Sequence, residues 1–528
     1  MFKIFSSKQF YSYLIVIFLI FLSIYFSIDY TLYNTDFIHW SFITEQIAVF
    51  LNGGQLYKDI FLQYGDGIVI LLFIINFFYK VDMYTLGVIS SVVFSLKFFF
   101  FFYICTKLNK SIFLSLIGTI LLFLSISYSQ IPWPDIYAGL FLLIFYILLI
   151  SNFKKENNLL ILITSFTFFL TVYFRNTYIL NFILTVICYS IYDICFTRKK
   201  ILYFYKIFLL TFVFIIFYFF ILYLNDNLFL WYSQSFGLSD QYFGVSELGL
   251  LERIEQYIYY ILRLTYHFLI PKTLSNILFS VCGILTVVYI FVFTFFKKFL
   301  INSRENDETN SLVFFIGISS LCGLVQLLSH YEIIRYINSS IGVYIVAVYF
   351  VEKIKITNLK IKVFSIIFLS AIYSFEIINY LIHVRNYPLS SHNHRTFPYK
   401  SGDINEYSKT KFNYFGNKKL RPDYLKYYSD IEEIICKKKY IYNLSYDKTF
   451  NFICIEKKNT FKYNIFTGEP DLIDLLNKGS NIENRVIISS YKLDNFQLIK
   501  EKILPKDFRY TKSDTYMKFY PDKLFIYE

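Results

Sequence analysis

Asp36 lies a few residues beyond the first long apolar run, within Thr35-Asp36-Phe37-Ile38-His39-Trp40, where a membrane helix would meet water. An enzyme that transfers a group to a hydroxyl or amine of a substrate at the membrane surface needs a carboxylate to take the acceptor's proton, and Asp36 is the best placed to do it. Thr35 and Asp36 are also good N-cap residues, so capping is the competing role. Glu45 and Gln46 follow on a stretch that reads as an amphipathic interfacial helix ending near Leu51.

Further polar groups recur in the connectors between apolar runs. Gly53-Gly54-Gln55-Leu56-Tyr57-Lys58-Asp59-Ile60-Phe61 leads into Gln63-Tyr64-Gly65, with Asp59 and Asp66 flanking the aromatic turn. The glycines supply backbone freedom where the loop must fold back, and ordinary turn roles compete with ligand contacts here. In Pro132-Trp133-Pro134-Asp135 the prolines restrict the backbone and leave Asp135 at the interface. Asp135 could share a metal ion or the base and orienting roles with Asp36, or simply answer a helix dipole. Arg175 at the end of a span is costly without a partner or an aqueous cavity. Its fork of donors suits phosphate, and snorkelling is the alternative. His330, Glu332 and Arg335 crowd one short connector, suited to neutralising phosphate or orienting an acceptor; Arg263, His267 and Lys272 are weaker candidates.

The elements that must position these groups are membrane helices. Of 528 residues, 56% are hydrophobic, more than a soluble core of that length would use. Runs such as Tyr11 to Ile28, Met83 to Ile104, Tyr203 to Tyr223 and Leu274 to Phe296 approach the ~20 apolar residues that cross a bilayer. The first run is too long for a signal-peptide core and has no small-residue cleavage site after it, so it reads as a retained helix. The excess of Phe, Tyr, Ile, Lys and Asn reflects genome composition and carries no functional weight.

Basic connectors near Lys107, Lys154, Lys199, Lys297 and Lys353 fall on one side by the positive-inside rule. The net charge of +13 follows from them, and nothing in it calls for nucleic acid. The unusual polar residues then share the opposite side. Parity is satisfied if Gly67 to Tyr79 is a short or re-entrant helix, leaving about 11 full spans. The fold class is thus a polytopic α-helical membrane protein, residues 1–387, followed by a small soluble α/β domain, residues 388–528, outside the cytoplasm. Alternation around Tyr440 to Leu444, Phe452 to Ile455 and Val486 to Ile488 predicts strands. Asp471 to Leu476 and Phe496 to Lys502 read as short helices. Five of the seven cysteines lie in or beside apolar runs; Cys436 and Cys454 could pair if the C-terminal domain meets an oxidising compartment.

Taken together, Asp36, the Gly53–Phe61 and Gln63–Gly65 segments, Asp135, Arg175 and the His330–Arg335 loop resemble the GT-C superfamily of membrane glycosyltransferases. The resemblance spans about residues 1–385 and is to the protein O-mannosyltransferase and aminoarabinose transferase-like branch. It implies a polyprenyl-phosphate sugar donor, an envelope acceptor (lipid, glycan or protein), inverting transfer on the outer face of a bacterial inner membrane, and a first-loop aspartate, here Asp36, as base. Asp135 would match the second-loop acid and Arg175 a donor-phosphate contact. Asp59, Tyr64, His330, Glu332 and Arg335 complete the expected substrate-binding set. Asp66-Gly67 stands where many relatives have proline. Metal dependence varies within the superfamily, so a divalent cation stays open and no other cofactor is implied. Two competing functions remain, an envelope polysaccharide polymerase or ligase and a lipid-linked sugar flippase or transporter.

Overall fold

The computed structural model describes residues 7–33, 37–126, 133–153, 157–196, 201–237, 255, 258, 274–295, 304–328, 337–353, 407–409, 411–438, 440–445, 447, 449–453, 460–461, 485–489, 492–493, 496–503 and 523–528. A helical bundle comes first. Its helices are α1 (Ser7–Tyr33), α2 (Phe37–Leu51), α3 (Gly67–Asn76), α4 (Met83–Leu108), α5 (Ile112–Ile126), α6 (Pro134–Asn152), α7 (Asn158–Phe174), α8 (Tyr178–Phe196), α9 (Ile201–Leu224) and α10 (Leu228–Tyr232). A single π turn, Ser233–Gly237, follows, and then α11 (Leu274–Phe295), α12 (Arg304–Cys322) and α13 (Gly342–Lys353).

Among the described residues seven helices are long and apolar enough to cross a membrane: Phe10–Tyr33, Met83–Leu108, Pro134–Asn152, Tyr178–Cys195, Leu202–Leu224, Leu278–Phe295 and Thr309–Gln326. The sequence predicts about 11 spans over the whole chain. Trp40–Leu51, Gly67–Asn76, Ile112–Ser125 and Asn158–Phe174 are apolar but shorter, and the last expected span lies outside the described residues. The expectation of a short helix after Asp66 is met by the ten residues of α3.

The chemistry of the helices suits lipid. Leu202, Leu209, Phe212 and Phe217 of α9 stand exposed, which water would penalise and lipid would not. Inside the bundle, hydroxyls return their protons to the preceding turn: Ser91 to Gly87 O (2.7 Å), Ser165 to Ile161 O (2.8 Å) and Thr286 to Cys282 O (2.8 Å). A buried hydroxyl without such an acceptor would cost a desolvation penalty. Local signals set the helix starts. Asp82 caps α4 by accepting from Thr85 N (2.8 Å), Asn157 caps α7, and Pro134 opens α6 at the position where a missing N–H costs nothing.

Contacts sort the helix ends into two layers. Glu352 at the end of α13 accepts from the amides of Lys110 (2.9 Å) and Ser111 (3.1 Å) between α4 and α5, joining two connectors that their basic residues had assigned to one side. At the other end, Gly87 of α4 packs against Thr31 and Trp40, and Ser90 bonds Tyr137 of α6 (2.9 Å).

The C-terminal part contains β1 (Ser408–Lys409), β2 (Lys419–Leu420), α14 (Pro422–Ile435), β3 (Tyr440–Leu444), α15 (Phe450–Ile453), β4 (Thr460–Phe461), β5 (Arg485–Ser489), β6 (Leu498–Ile503) and β7 (Lys523–Tyr527). Strands β1 and β2 pair antiparallel; the others form one sheet ordered β4-β3-β5-β7-β6. Pairing is parallel among β4, β3 and β5 and antiparallel around β7. Tyr424, Tyr428, Ile431 and Ile435 of α14 pack with Ile441, Val486, Ile488 and Ile526.

Three sequence expectations need correction. Leu498–Ile503 is an edge strand rather than a helix: its charged run Lys500-Glu501-Lys502 is the polar guard that exposed edges carry. Phe450–Ile453 is a turn of helix that takes in the first two residues of the strand expected over Phe452–Ile455, the other two lying outside the described residues. Helix α2 is not a surface helix: Phe42, Ile43 and Ile47 join the bundle core while Trp40 joins the C-terminal core beside Phe412, Phe415 and Met83. Both of its sides are covered, one of them by chain that comes over 360 residues later. Residues 471–476 lie outside the described residues.

Candidate active site

Asp135 occupies the first turn of α6, directly after Trp133 and Pro134. Arg175 ends α7 in extended backbone, and the turn to α8 is closed by Tyr178 N donating to Arg175 O (2.9 Å). Because α6 and α7 pack as neighbours, the two residues meet: Arg175 Nε lies 3.5 Å from Asp135 Oδ1, with the side chains 2% and 1% exposed. The guanidinium carbon sits 4.2 Å from the Tyr64 ring centroid, and Tyr64 meets Trp133 edge to face at 4.8 Å. Asn176 N donates to Tyr64 O (3.0 Å), pinning the loop before α3 onto the α7–α8 turn. Tyr64, Trp133 and Asn176, from three connectors, are thereby gathered around one ion pair.

Lys97, fully buried in α4, donates to Asn338 Oδ1 and lies 5.7 Å from the Phe94 ring. It is close enough to Asp135 to feel its charge, as is Tyr178. Among the described residues neither oxygen of Asp135 accepts a hydrogen bond, and the Tyr178 hydroxyl makes none. Removing two charges from water costs several kcal/mol per ion, so a buried pair with spare carboxylate capacity is expensive to keep. Such capacity suits a ligand that donates hydroxyl protons.

A second carboxylate lies close by in the chain. Asp66 precedes α3, and its Oδ1 accepts from the Tyr218 hydroxyl (2.8 Å), which is 3.0 Å from the Tyr57 hydroxyl. Burial pushes the Asp66 carboxyl up to about 6, against the opposing effect of the Tyr218 and Tyr57 hydrogen bonds. Burial likewise raises the Tyr57 phenol, with the Asp66 charge adding to it. The loop around these groups is tied at several points. Gln46 Nε2 donates to Phe61 O (2.7 Å), Gln234 of the π turn donates to Tyr57 O (2.8 Å) and accepts from Leu62 N (2.8 Å), and Asn176 donates to Ser235 Oγ (2.6 Å). Tyr57 itself takes the left-handed conformation (φ 65°).

Of the site residues expected from sequence, the structure brings Tyr64, Asp135 and Arg175 together. Asp59 stands apart: it is exposed and closes its own turn by accepting from Gln55 N (2.9 Å). Asp36, His330, Glu332 and Arg335 lie outside the described residues, as do Arg263, His267 and Lys272. The connector holding His330 to Arg335 has its flanks near the ion pair: Gln326 donates to Thr177 O (2.9 Å), and Asn338 binds Lys97. Lys97, Asn338, Tyr218 and Gln234 were not assigned to the site from sequence. Lys97 carried a signal, being a lysine inside an apolar run; Tyr218 is one of 50 tyrosines and carried none. Among the described residues no three His, Cys, Asp or Glu side chains gather as a metal site would need.

No family model and no curated protein matches the chain.

Proposed function

We propose that the protein is an integral membrane glycosyltransferase that moves a sugar from a polyprenyl-phosphate donor to an envelope acceptor on the extracytoplasmic face. The observation that carries this reading is the buried Asp135–Arg175 pair with Tyr64 over the guanidinium. It lies at the bundle end where the C-terminal sheet domain docks.

Each part has a chemical use. Departure of a lipid phosphate develops negative charge, which a fixed guanidinium stabilises without reorganisation. The oxygens of Asp135, which among the described residues accept no hydrogen bond, suit sugar or acceptor hydroxyls, and the rings of Tyr64 and Trp133 suit the apolar face of a sugar. Asp36 takes the acceptor's proton. The donor's lipid tail runs among the apolar faces of the spans. Two features support the outer placement: the basic connectors at Lys107–Lys110 and Glu352–Lys353 meet at the opposite end, and Cys436 is disulfide-bonded, as persists in oxidising compartments.

The test is sugar transfer from a panel of polyprenyl-phosphate donors to membrane acceptors by purified protein. Transfer by the wild type, reduced at least about 100-fold in Asp36→Asn and in Asp135→Asn, is the expected result. No transfer from any donor by folded protein would overturn the reading.

A further inference from the structure

The C-terminal segment 407–420 grips both flanks of the loop that carries Asp36. Lys418 is fully buried, and its ammonium donates to Thr31 O (2.7 Å) in the last turn of α1 while lying 4.4 Å from the Trp40 ring centroid in the first turn of α2. Carbonyls of a helix's last turn lack partners within the helix and carry its negative dipole end, so a cation belongs there. The Trp40 face adds a cation–π attraction, strongest when water is excluded. One side chain thus ties α1 to α2 across residues 34–36.

Neighbouring contacts reinforce the tie. The Tyr414 hydroxyl donates to Thr44 Oγ1 (2.7 Å), whose own proton goes to Trp40 O (2.6 Å), and it lies 3.0 Å from Ser41 O. Tyr407 meets Tyr33 edge to face at 5.3 Å, and Lys419 stands over the same Tyr33 ring. Gly416 (φ 62°) lets the turn close on Asp82, the cap of α4: a Cβ there would stand 2.4 Å from the carboxylate. Trp40 and Met83 meanwhile belong to the same core as Phe412, Phe415 and Leu420.

We infer that segment 407–420 is a positioning clamp for the first-loop aspartate, with Lys418 and Tyr414 as its positioning residues. The inference rests on the reading of Asp36 as the base. Burying an ammonium completely costs more than a surface tie would, and a methionine of similar shape would fill the same space. What the ammonium adds is a fixed distance between the two helix ends that bear the loop. The C-terminal domain then acts on transfer through the spacing of the α1 and α2 ends, without touching donor or acceptor.

The test uses full-length purified protein carrying Lys418→Met, Lys418→Arg or Tyr414→Phe, with two readouts. Hydrogen–deuterium exchange over residues 31–44 should rise in Lys418→Met and to a lesser degree in Tyr414→Phe, stay near wild type in Lys418→Arg, and leave residues 134–152 unchanged. In the transfer assay, Lys418→Met should lower kcat by about 10- to 100-fold, the scale on which misplaced reacting groups act, with KM for the lipid donor unchanged and Lys418→Arg restoring kcat. Unchanged exchange over 31–44 would overturn the clamp itself. Raised exchange with unaltered kcat would overturn its role in transfer. If the wild type transfers from no donor, the glycosyltransferase reading fails, and exchange still decides whether the clamp exists.

Discussion

Asp66 and Asp135 are two carboxylates at the start of two apolar helices, 6% and 1% exposed, yet their surroundings differ in kind. Asp135 faces a guanidinium at 3.5 Å with an ammonium nearby, and among the described residues it accepts no hydrogen bond. Asp66 faces the Tyr218 hydroxyl, with Tyr57 behind it. Charge is matched by charge in one place, and in the other a carboxyl rests among phenols where its neutral form is tolerated. The same residue type at the same kind of helix start is therefore held by a fixed charge in α6 and by a phenol hydroxyl ahead of α3.

Breaking the first arrangement should have the largest effect. Arg175→Ala leaves a buried carboxylate without its partner, a change that costs about 3–5 kcal/mol. Thermal unfolding in detergent should register it as a large drop in midpoint. The double variant Arg175→Leu with Asp135→Leu removes both charges and should recover most of that stability while transferring no sugar. Equal instability of the single and double variants would mean that the pair is not the electrostatic unit described.

The second arrangement predicts a pH effect with a definite sign. The folded-state Asp66 carboxyl is raised from 3.8 to about 6, so its contribution to stability is fully present below pH 3.8 and is lost as pH rises through about 6. Converted at 1.36 kcal/mol per unit, the span is roughly 3 kcal/mol. Asp66→Asn cannot ionise, and its stability should vary less than the wild type's between those pH values, with the variant the more stable of the two at pH 7. A wild type whose unfolding is flat across this window would show that burial among the phenols does not hold the Asp66 carboxyl in its neutral form.

How far these sites were legible in the sequence follows from the distances that separate their parts. Helix positions, the short helix after Asp66 and the strands at Tyr440–Leu444 and Arg485–Ser489 all follow from local hydrophobic period and caps. Asp135 and Arg175 could each be singled out, since a charge beside an apolar run is costly wherever it lies. Their pairing could not, because it depends on α6 and α7 packing side by side. Helix α2 reads as interfacial in the sequence for the same reason: that Trp40 is covered depends on residues 412–420, far along the chain. The strand at Leu498–Ile503 was hidden by its charges, which mark an edge only once β7 is known to lie beside it.

Smaller substitutions sharpen the contrast between the loop and the exposed surface. Gly65 has φ 115°, and an added Cβ would stand 2.8 Å from Asn176 Oδ1 and 2.9 Å from Tyr173 O. Gly65→Ala should therefore cost about 1–3 kcal/mol of stability from backbone strain alone. It should also lower transfer, because the shift passes through Asn176 to the neighbouring Arg175 and Tyr64. At the far end of the scale, Lys437 and Glu433 form an exposed i, i+4 pair at 3.5 Å on the C-terminal domain. Lys437→Ala should change stability by no more than about 0.5 kcal/mol, since water and salt already screen such pairs. A loss comparable to that of Gly65→Ala would show that this helix end is held by charge rather than by the packing of Tyr424, Tyr428 and Ile431 beneath it.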